Sequence, residues 1–315
     1  MQKKNFNLKV IIFLFFIIFL INSIYIKNKN YKGKFVFLIR KTNFSTDGLL
    51  AYYYFNLGCV YDYIINGYIP IIDLISHPNI FNGFNTSVFE NPWEEFFYQP
   101  FNYTLENVKK YGKNIKIFEC YQGKMGPTFD IFKDINMKKF WHNIANKYLP
   151  IKREILIKAD YYFNFLFKQK KNILGILIRG TDYIAKKPTF HAVQPTPEMV
   201  FEDINIMNSK YKYESFFLTT EDDLIREKFI KKYGKKLKYI KSKININCDY
   251  KKKELLAFNK NIKGNLPYMK IYLINIIILS KCLDIITSRT GGSLVAFIWT
   301  KGFRNIKVYH LGAYK

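Results

Sequence analysis

Gly175-Ile176-Leu177-Ile178-Arg179-Gly180-Thr181-Asp182-Tyr183 ("GILIRGTDY") is the stretch on which the reading of this chain turns. It continues an apolar run that starts at Ile173, and a run with no polar alternation has the composition of a strand covered on both faces. The run then presents a guanidinium, a residue without Cβ, a hydroxyl and a carboxylate in succession. Strands covered on both faces belong to parallel sheets flanked by helices, and such sheets bind ligands beyond the carboxyl ends of their strands. Arg179 is therefore either half of an Arg–Asp pair closing a turn or the edge of a binding site.

Working outward, apolar β-rich runs recur at Ser215–Thr219, Leu237–Ile240, Leu283–Thr287 and Ile306–Leu311. Helical segments fall between most of them, at Pro197–Asn208, Glu221–Tyr233, Met269–Ser280 and Gly292–Trp299. Strands alternating with helices predict parallel pairing through crossovers, hence a doubly wound α/β sheet. Upstream the alternation is looser. A strand is expected over Phe35–Arg40, a helix after Ser45, a strand over Ile69–Leu74 and a short strand ending at Cys120. Helices are expected over 137–149 and 151–167, after an irregular aromatic stretch at Asn91–Phe101 and a Gly/Pro loop at Gly123–Asp130. The fold class expected is α/β, with two facing Rossmann-like domains over 35–150 and 151–315. An N-terminal membrane anchor and linker are expected over 1–34.

The bulk composition sets bounds on partners. The chain has 315 residues, 49% of them apolar, enough to bury a sizeable core and to exclude wholesale disorder. A net charge of +26 favours anionic partners such as nucleotide phosphates, nucleic acid, acidic polysaccharide or lipid headgroups. The joint richness in Lys, Asn, Ile, Phe and Tyr also fits compositional drift in an AT-rich genome, with much of the charge on solvated faces. No nucleic-acid recognition motif accompanies it, so no nucleic-acid partner is expected. Cys59, Cys120, Cys248 and Cys282 are too far apart in sequence for metal-ligand pairs and read as free thiols, so no metal is expected. Sequons begin at Asn43, Asn85 and Asn102, and in an Asn-rich chain they point only weakly to secretion. Val10–Ile26 is an apolar run of 17 residues with no small-x-small cleavage site after it, which predicts an uncleaved single-pass anchor. Lysines on both sides (Lys3, Lys4 and Lys9 before, Lys27, Lys29, Lys32 and Lys34 after) leave its sidedness open.

Four places in the second half have the residue types that chemistry needs. Arg179, Gly180 and Thr181 offer a planar fork for phosphate oxygens and a point of close backbone approach. In Leu218–Asp223 ("LTTEDD"), Thr220 can cap the next helix, and Glu221 and Asp222 either suit its positive end or bind ribose hydroxyls or a base edge. In Thr287–Ser293 ("TSRTGGS"), Ser288, Thr290, Gly291, Gly292 and Ser293 form either a tight strand-to-helix turn or a phosphate cradle at a helix start. His191 stands in a proline-punctuated loop, solvated or placed to act as acid, base or phosphate donor.

Taken in order, "LGILIRGTDY", His191, "FFLTTEDD" and "LSKCLDIITSRTGGS" resemble the fucosyltransferase-like GT-B glycosyltransferases. That group holds the α1,6-fucosyltransferases with the rhizobial nodulation type, and more remotely the α1,2- and protein O-fucosyltransferases. The chain is most similar to a bacterial branch whose motif reads Arg-Gly-Thr-Asp-Tyr. The resemblance spans about residues 172–300, and the N-terminal half matches only in general pattern. It implies a GT-B fold, a nucleotide-sugar donor (GDP-fucose first among them) in the C-terminal domain, a glycan or glycoconjugate acceptor in the N-terminal domain, and inversion without a metal or other cofactor. Arg179 matches the arginine that holds the donor diphosphate. Glu221 and Asp222 match the acidic pair near the guanosine, and Ser288, Thr290 and Ser293 match the turn that meets the phosphates.

The sequence departs from the α1,6 pattern in three places. Leu177 stands for a histidine and Gly180 for a second arginine. No carboxylate lies between Tyr183 and Phe190, where the general base is expected. Asp182 and His191 are the local candidates for that base, and Asp47 or Asp73 could supply it from the N-terminal half. A non-catalytic, anchored relative that binds glycan or nucleotide is the competing expectation.

Overall fold

The computed structural model describes residues 34–39, 47–87, 90–110, 115–119, 126–185, 187, 189–240 and 264–315. The anchor expected over 10–26 lies outside them; among the described residues no helix is long and apolar enough to cross a membrane.

The upstream half builds a three-stranded parallel sheet. Its strands are β1 (Phe35–Ile39), β2 (Ile69–Ile72) and β3 (Ile115–Glu119), in the order β2-β1-β3. Every side chain of β1 is buried, as its unbroken apolar sequence requires. Helix α1 (Leu49–Ile65) crosses from β1 to β2 and buries Leu49, Tyr53, Leu57, Val60 and Ile64, the spacing of one helical face. β2 is an edge strand, and the Gln99 side chain serves as its missing neighbour. Ile72 N–H donates to Gln99 Oε1 (2.9 Å), and Gln99 Nε2 donates to Ile72 O (2.8 Å). Helices α2 (Leu105–Lys109), α3 (Ile135–Tyr148) and α4 (Arg153–Phe167) complete this half.

The second sheet comprises β4 (Ile173–Leu177), β5 (Ser215–Thr219), β6 (Leu237–Lys238), β7 (Asp284–Ser288) and β8 (Ile306–Tyr309). All pairs are parallel, in the order β6-β5-β4-β7-β8. Counted within the sheet this is 3-2-1-4-5, the Rossmann order, whose direction reverses between β4 and β7. The connecting helices are α5 (Thr181–Ala185), α6 (Pro197–Tyr211), α7 (Asp223–Tyr233), α8 (Leu266–Ser280) and α9 (Gly291–Trp299). Helix α8 is apolar on nearly every side because it lies among β4, β5, α4 and α9. Gly175 permits that approach: a Cβ there would stand 2.6 Å from Leu279 Cδ1.

Apart from the short helices α2 and α5, which the apolar periodicity does not predict, the elements fall within a few residues of those expected, with two corrections of detail. Helix α7 is capped by Asp222, whose side chain accepts from Ile225 N–H (3.1 Å), and not by Thr220. The aromatic stretch is irregular but ordered, with short 3-10 turns at Pro92–Glu95 and Pro100–Asn102.

One continuous buried cluster extends from β1 and α1 through α3 and α4 to α8 and α9, so the two sheets share a core. Tyr53 lies at the seam. Its hydroxyl donates to Leu149 O (3.2 Å) and accepts from Trp299 Nε1 (3.0 Å), and burial raises its pKa. Cys59 is disulfide-bonded, which corrects the expectation of four free thiols, while Cys282 is free and buried. Spacing along the chain cannot exclude a disulfide, because bridging depends on Cα proximity in space.

Candidate functional site

The site builds from the carboxyl end of β4. Leu177 pairs with Thr219, so two residues further on the register sets Arg179 level with Glu221. The side chains meet: Arg179 Nε donates to Glu221 Oε1 at 2.9 Å. The same oxygen accepts Gly180 N–H (3.0 Å) and Thr181 Oγ1 (3.2 Å). Asp222 Oδ2 accepts Thr181 N–H (3.0 Å). Two successive carboxylates from β5 thus clamp the turn after β4. Thr181 is buried at φ +43°, a left-handed conformation that costs a β-branched residue on the order of 1–3 kcal/mol and persists where surrounding bonds over-determine it. Gly180 is required by space: a Cβ would stand 2.1 Å from Asp222 Oδ2.

Two tyrosines contact Arg179, and an imidazole meets one of them. Its guanidinium carbon lies 4.6 Å from the centroid of the Tyr183 ring, a cation–π contact. The Tyr272 hydroxyl of α8 is also hydrogen-bonded to Arg179. Burial pushes the Tyr272 pKa up to about 12, with the arginine pulling the other way, so Tyr272 is a neutral phenol near pH 7. The imidazole of His191 meets Tyr183 edge-on at 5.3 Å between centroids.

His191 is exposed, yet its loop is fixed from behind. Phe190 N–H donates to Tyr314 O, Tyr314 N–H to His191 O and Val193 N–H to Gly312 O. Ala192 and Ala313 form an antiparallel bridge. The C-terminal residues thus work as a splint. His191 Nδ1 lies 3.2 Å from Thr189 O, a bond that needs the proton on Nδ1 and leaves Nε2 as an acceptor.

The turn after β7 is closed by its own side chains. Thr290 and Ser293 form a reciprocal capping box at the start of α9. Ser293 Oγ also bonds Ser288 O (2.7 Å), and Ser288 Oγ donates to Gln194 Oε1 (2.5 Å), tying this turn to the His191 loop. The small-residue strand-to-helix turn is there, with its hydroxyls committed internally. Gly291 and Gly292 stand in the first turn of α9, whose N–H groups lack intrahelical partners by geometry. A Cβ on Gly291 would lie 3.3 Å from Tyr54 Cε1 and 3.6 Å from Ala51 N, so α1 comes up against this turn. A Cβ on Gly292 would lie 2.8 Å from the Tyr272 hydroxyl.

Of the candidate bases, Asp73 is buried and accepts Ile75 N–H (2.8 Å), Ser76 N–H (3.0 Å) and Ser76 Oγ (2.6 Å), which commits it to a turn. Asp47 is half-buried just before the first turn of α1. Asp182 lies in α5, its side chain outside the described residues. Among the described residues no cluster of three or more His, Cys, Asp or Glu could hold a metal ion. Sequence reasoning gave no role to Tyr183, Tyr272 or Gln194. Tyr183 was visible within the motif, whereas Tyr272 and Gln194 show no local signal.

No family model matches the chain, and no curated protein matches its sequence. Among solved structures it is similar to the NodZ α-1,6-fucosyltransferase soaked with GDP-fucose (TM-score 0.49, 13% identity, covering 85% of this chain and 92% of that one). It is similar also to fucosyltransferase NodZ from Bradyrhizobium (0.46, 13%, 85% and 93%) and to POFUT1 in complex with GDP (0.48, 9%, 88% and 98%). At these scores and identities the likenesses assign no activity to the chain.

Proposed function

We propose that this chain is a GT-B-type glycosyltransferase, anchored in a membrane through residues 10–26, that transfers a sugar from a nucleoside-diphosphate donor to a glycan hydroxyl with inversion. GDP-fucose is the donor that the order of motifs favours. The reading is carried by one observation: Arg179 stands at the switch point of a 3-2-1-4-5 parallel sheet, joined through the Tyr183 ring to His191. Glycosyl transfer needs a cation where diphosphate charge develops and a base for the acceptor hydroxyl. Arg179 supplies the cation. His191, with Nε2 free to accept, supplies the base, and Asp182 is the other local candidate.

Arg179→Ala tests the reading. The variant is expected to remain folded and to bind GDP at least about tenfold more weakly, the scale of a charge-assisted hydrogen bond. Equal GDP affinity by calorimetry removes Arg179 from the site. A donor screen that measures nucleotide release from GDP- and UDP-sugars decides the sugar.

A specific observation favours the competing non-catalytic reading: Glu221, Asp222 and Asp73 are all committed to turns. The base role then falls to His191, Asp182 or Asp47. Nucleotide release that disappears in His191→Ala or Asp182→Ala supports catalysis, and a wild type that binds GDP without any turnover supports the binding module.

A further inference from the structure

The sheet edge that holds Glu221 and Arg179 holds a third residue. β4 pairs with β7 through Leu174 opposite Asp284 and Ile176 opposite Ile286. Arg289 is the first residue after β7 and Arg179 the second after β4, so both open the turns at the carboxyl ends of these two paired strands. Glu221, Arg179 and Arg289 therefore stand in the turns that follow the carboxyl ends of β5, β4 and β7, three neighbouring strands. The step from Arg179 to Arg289 is the one at which the strand order reverses.

The two arginines differ in electrical state. Arg179 is ion-paired to Glu221, both side chains being largely buried. Arg289 is exposed and, among the described residues, forms no ion pair. Its guanidinium carbon lies 4.8 Å from the centroid of the Phe129 ring. That ring belongs to the short turn Phe129–Phe132, which is held to α9 by the contact of Phe132 with Phe297 at 4.3 Å. Arg289 is thus steadied by an uncharged partner, and among the described residues its charge and its N–H donors are uncommitted.

The balance of charge around the β4 turn makes this matter. Arg179 and Arg226 face Glu221, Asp222 and Asp223, two cations against three carboxylates. Such a turn, taken alone, repels a diphosphate. Asp182 adds a fourth carboxylate to the same turn, so Arg289 offsets part of this excess, and it stands on the β7 side of the switch point.

We propose that Arg289 is the second phosphate-gripping residue of the donor site, holding the diphosphate of a nucleoside-diphosphate sugar from the β7 side while Arg179 holds it from the β4 side. The proposal rests on the glycosyltransferase reading above. The test is calorimetric titration of GDP, guanosine and inorganic pyrophosphate into the wild type, Arg289→Gln and Arg289→Lys. Arg289→Gln is expected to weaken GDP and pyrophosphate by roughly tenfold to a hundredfold, leave guanosine unchanged and melt with the wild type, and Arg289→Lys to recover part of the loss. Undiminished GDP binding by Arg289→Gln overturns this assignment and leaves the glycosyltransferase reading standing, and so does a parallel loss of guanosine binding. A wild type that binds neither GDP nor pyrophosphate overturns both.

Discussion

Gly180 shows how narrowly the site is specified at the scale of one residue. Its constraint is the Asp222 carboxylate, which occupies the place of the missing side chain. Asp222 also caps α7 and holds Thr181 N–H, so displacing it loosens a helix start and a strained residue together. Gly180→Ala is expected to lower stability by about 1–3 kcal/mol and to weaken GDP binding with it. A variant with wild-type melting temperature and affinity shows that the turn has room to spare. The position of Arg179 was legible in the sequence, because an apolar run ending in a charge marks the carboxyl end of a covered strand. The partner of Arg179 was not, because Glu221 reads equally well as a helix-start carboxylate or a ligand contact until β4 and β5 are paired.

At the scale of elements, the start of α9 is held by one reciprocal pair. Thr290 Oγ1 accepts Ser293 N–H (3.2 Å), and Ser293 Oγ accepts Thr290 N–H (2.9 Å). Thr290→Ala is expected to cost about 1 kcal/mol in urea unfolding, the usual loss for an N-cap, and an unchanged unfolding midpoint speaks against the box carrying that turn. Helices and strands were readable because the 3.6-residue and continuous apolar patterns are local. The short helix α5 was not, since its geometry depends on carboxylates 40 and 41 residues away. The ordered turns around Asn91 and Gln99 were not either. Their side chains replace a strand neighbour for Ile72, a task visible only once β2 is known to lie at an edge.

At the scale of the whole molecule, Asp284 connects three parts of the second sheet. It is fully buried at the start of β7 and accepts from Arg304 Nη2 (2.5 Å), from the Tyr213 hydroxyl (2.5 Å) and from Asn305 N–H (2.8 Å). Burial by itself pushes its pKa up. The hydrogen bonds from Arg304, Tyr213 and Asn305 together outweigh that and hold the carboxyl below the usual range. A depressed carboxyl contributes stability that is fully present above its unfolded value, about 3.9, and is lost as pH falls through the lower folded value. Melting temperature should therefore drop steeply below about pH 4 in the wild type. Asp284→Asn should flatten that acid limb and cost about 3 kcal/mol at neutral pH, as breaking a buried ion pair does. Superimposable acid limbs sink the assignment.

The sequence by itself determined the alternation of strands and helices, the parallel pairing that follows from it, and the end of the sheet at which Arg179 and the 287–293 turn stand. These depend on periodicities set by backbone geometry within a few residues. Only the tertiary structure decided which groups meet. Glu221 neutralises Arg179, Tyr183 joins Arg179 to His191, and residues 312–314 splint the His191 loop. Arg289 opens the turn after β7, next to β4, with no ion pair among the described residues, and Cys59 is disulfide-bonded. Each of these depends on strand register, sheet order or closure of the chain over long separations, and no local pattern of residues encodes a partner that distant.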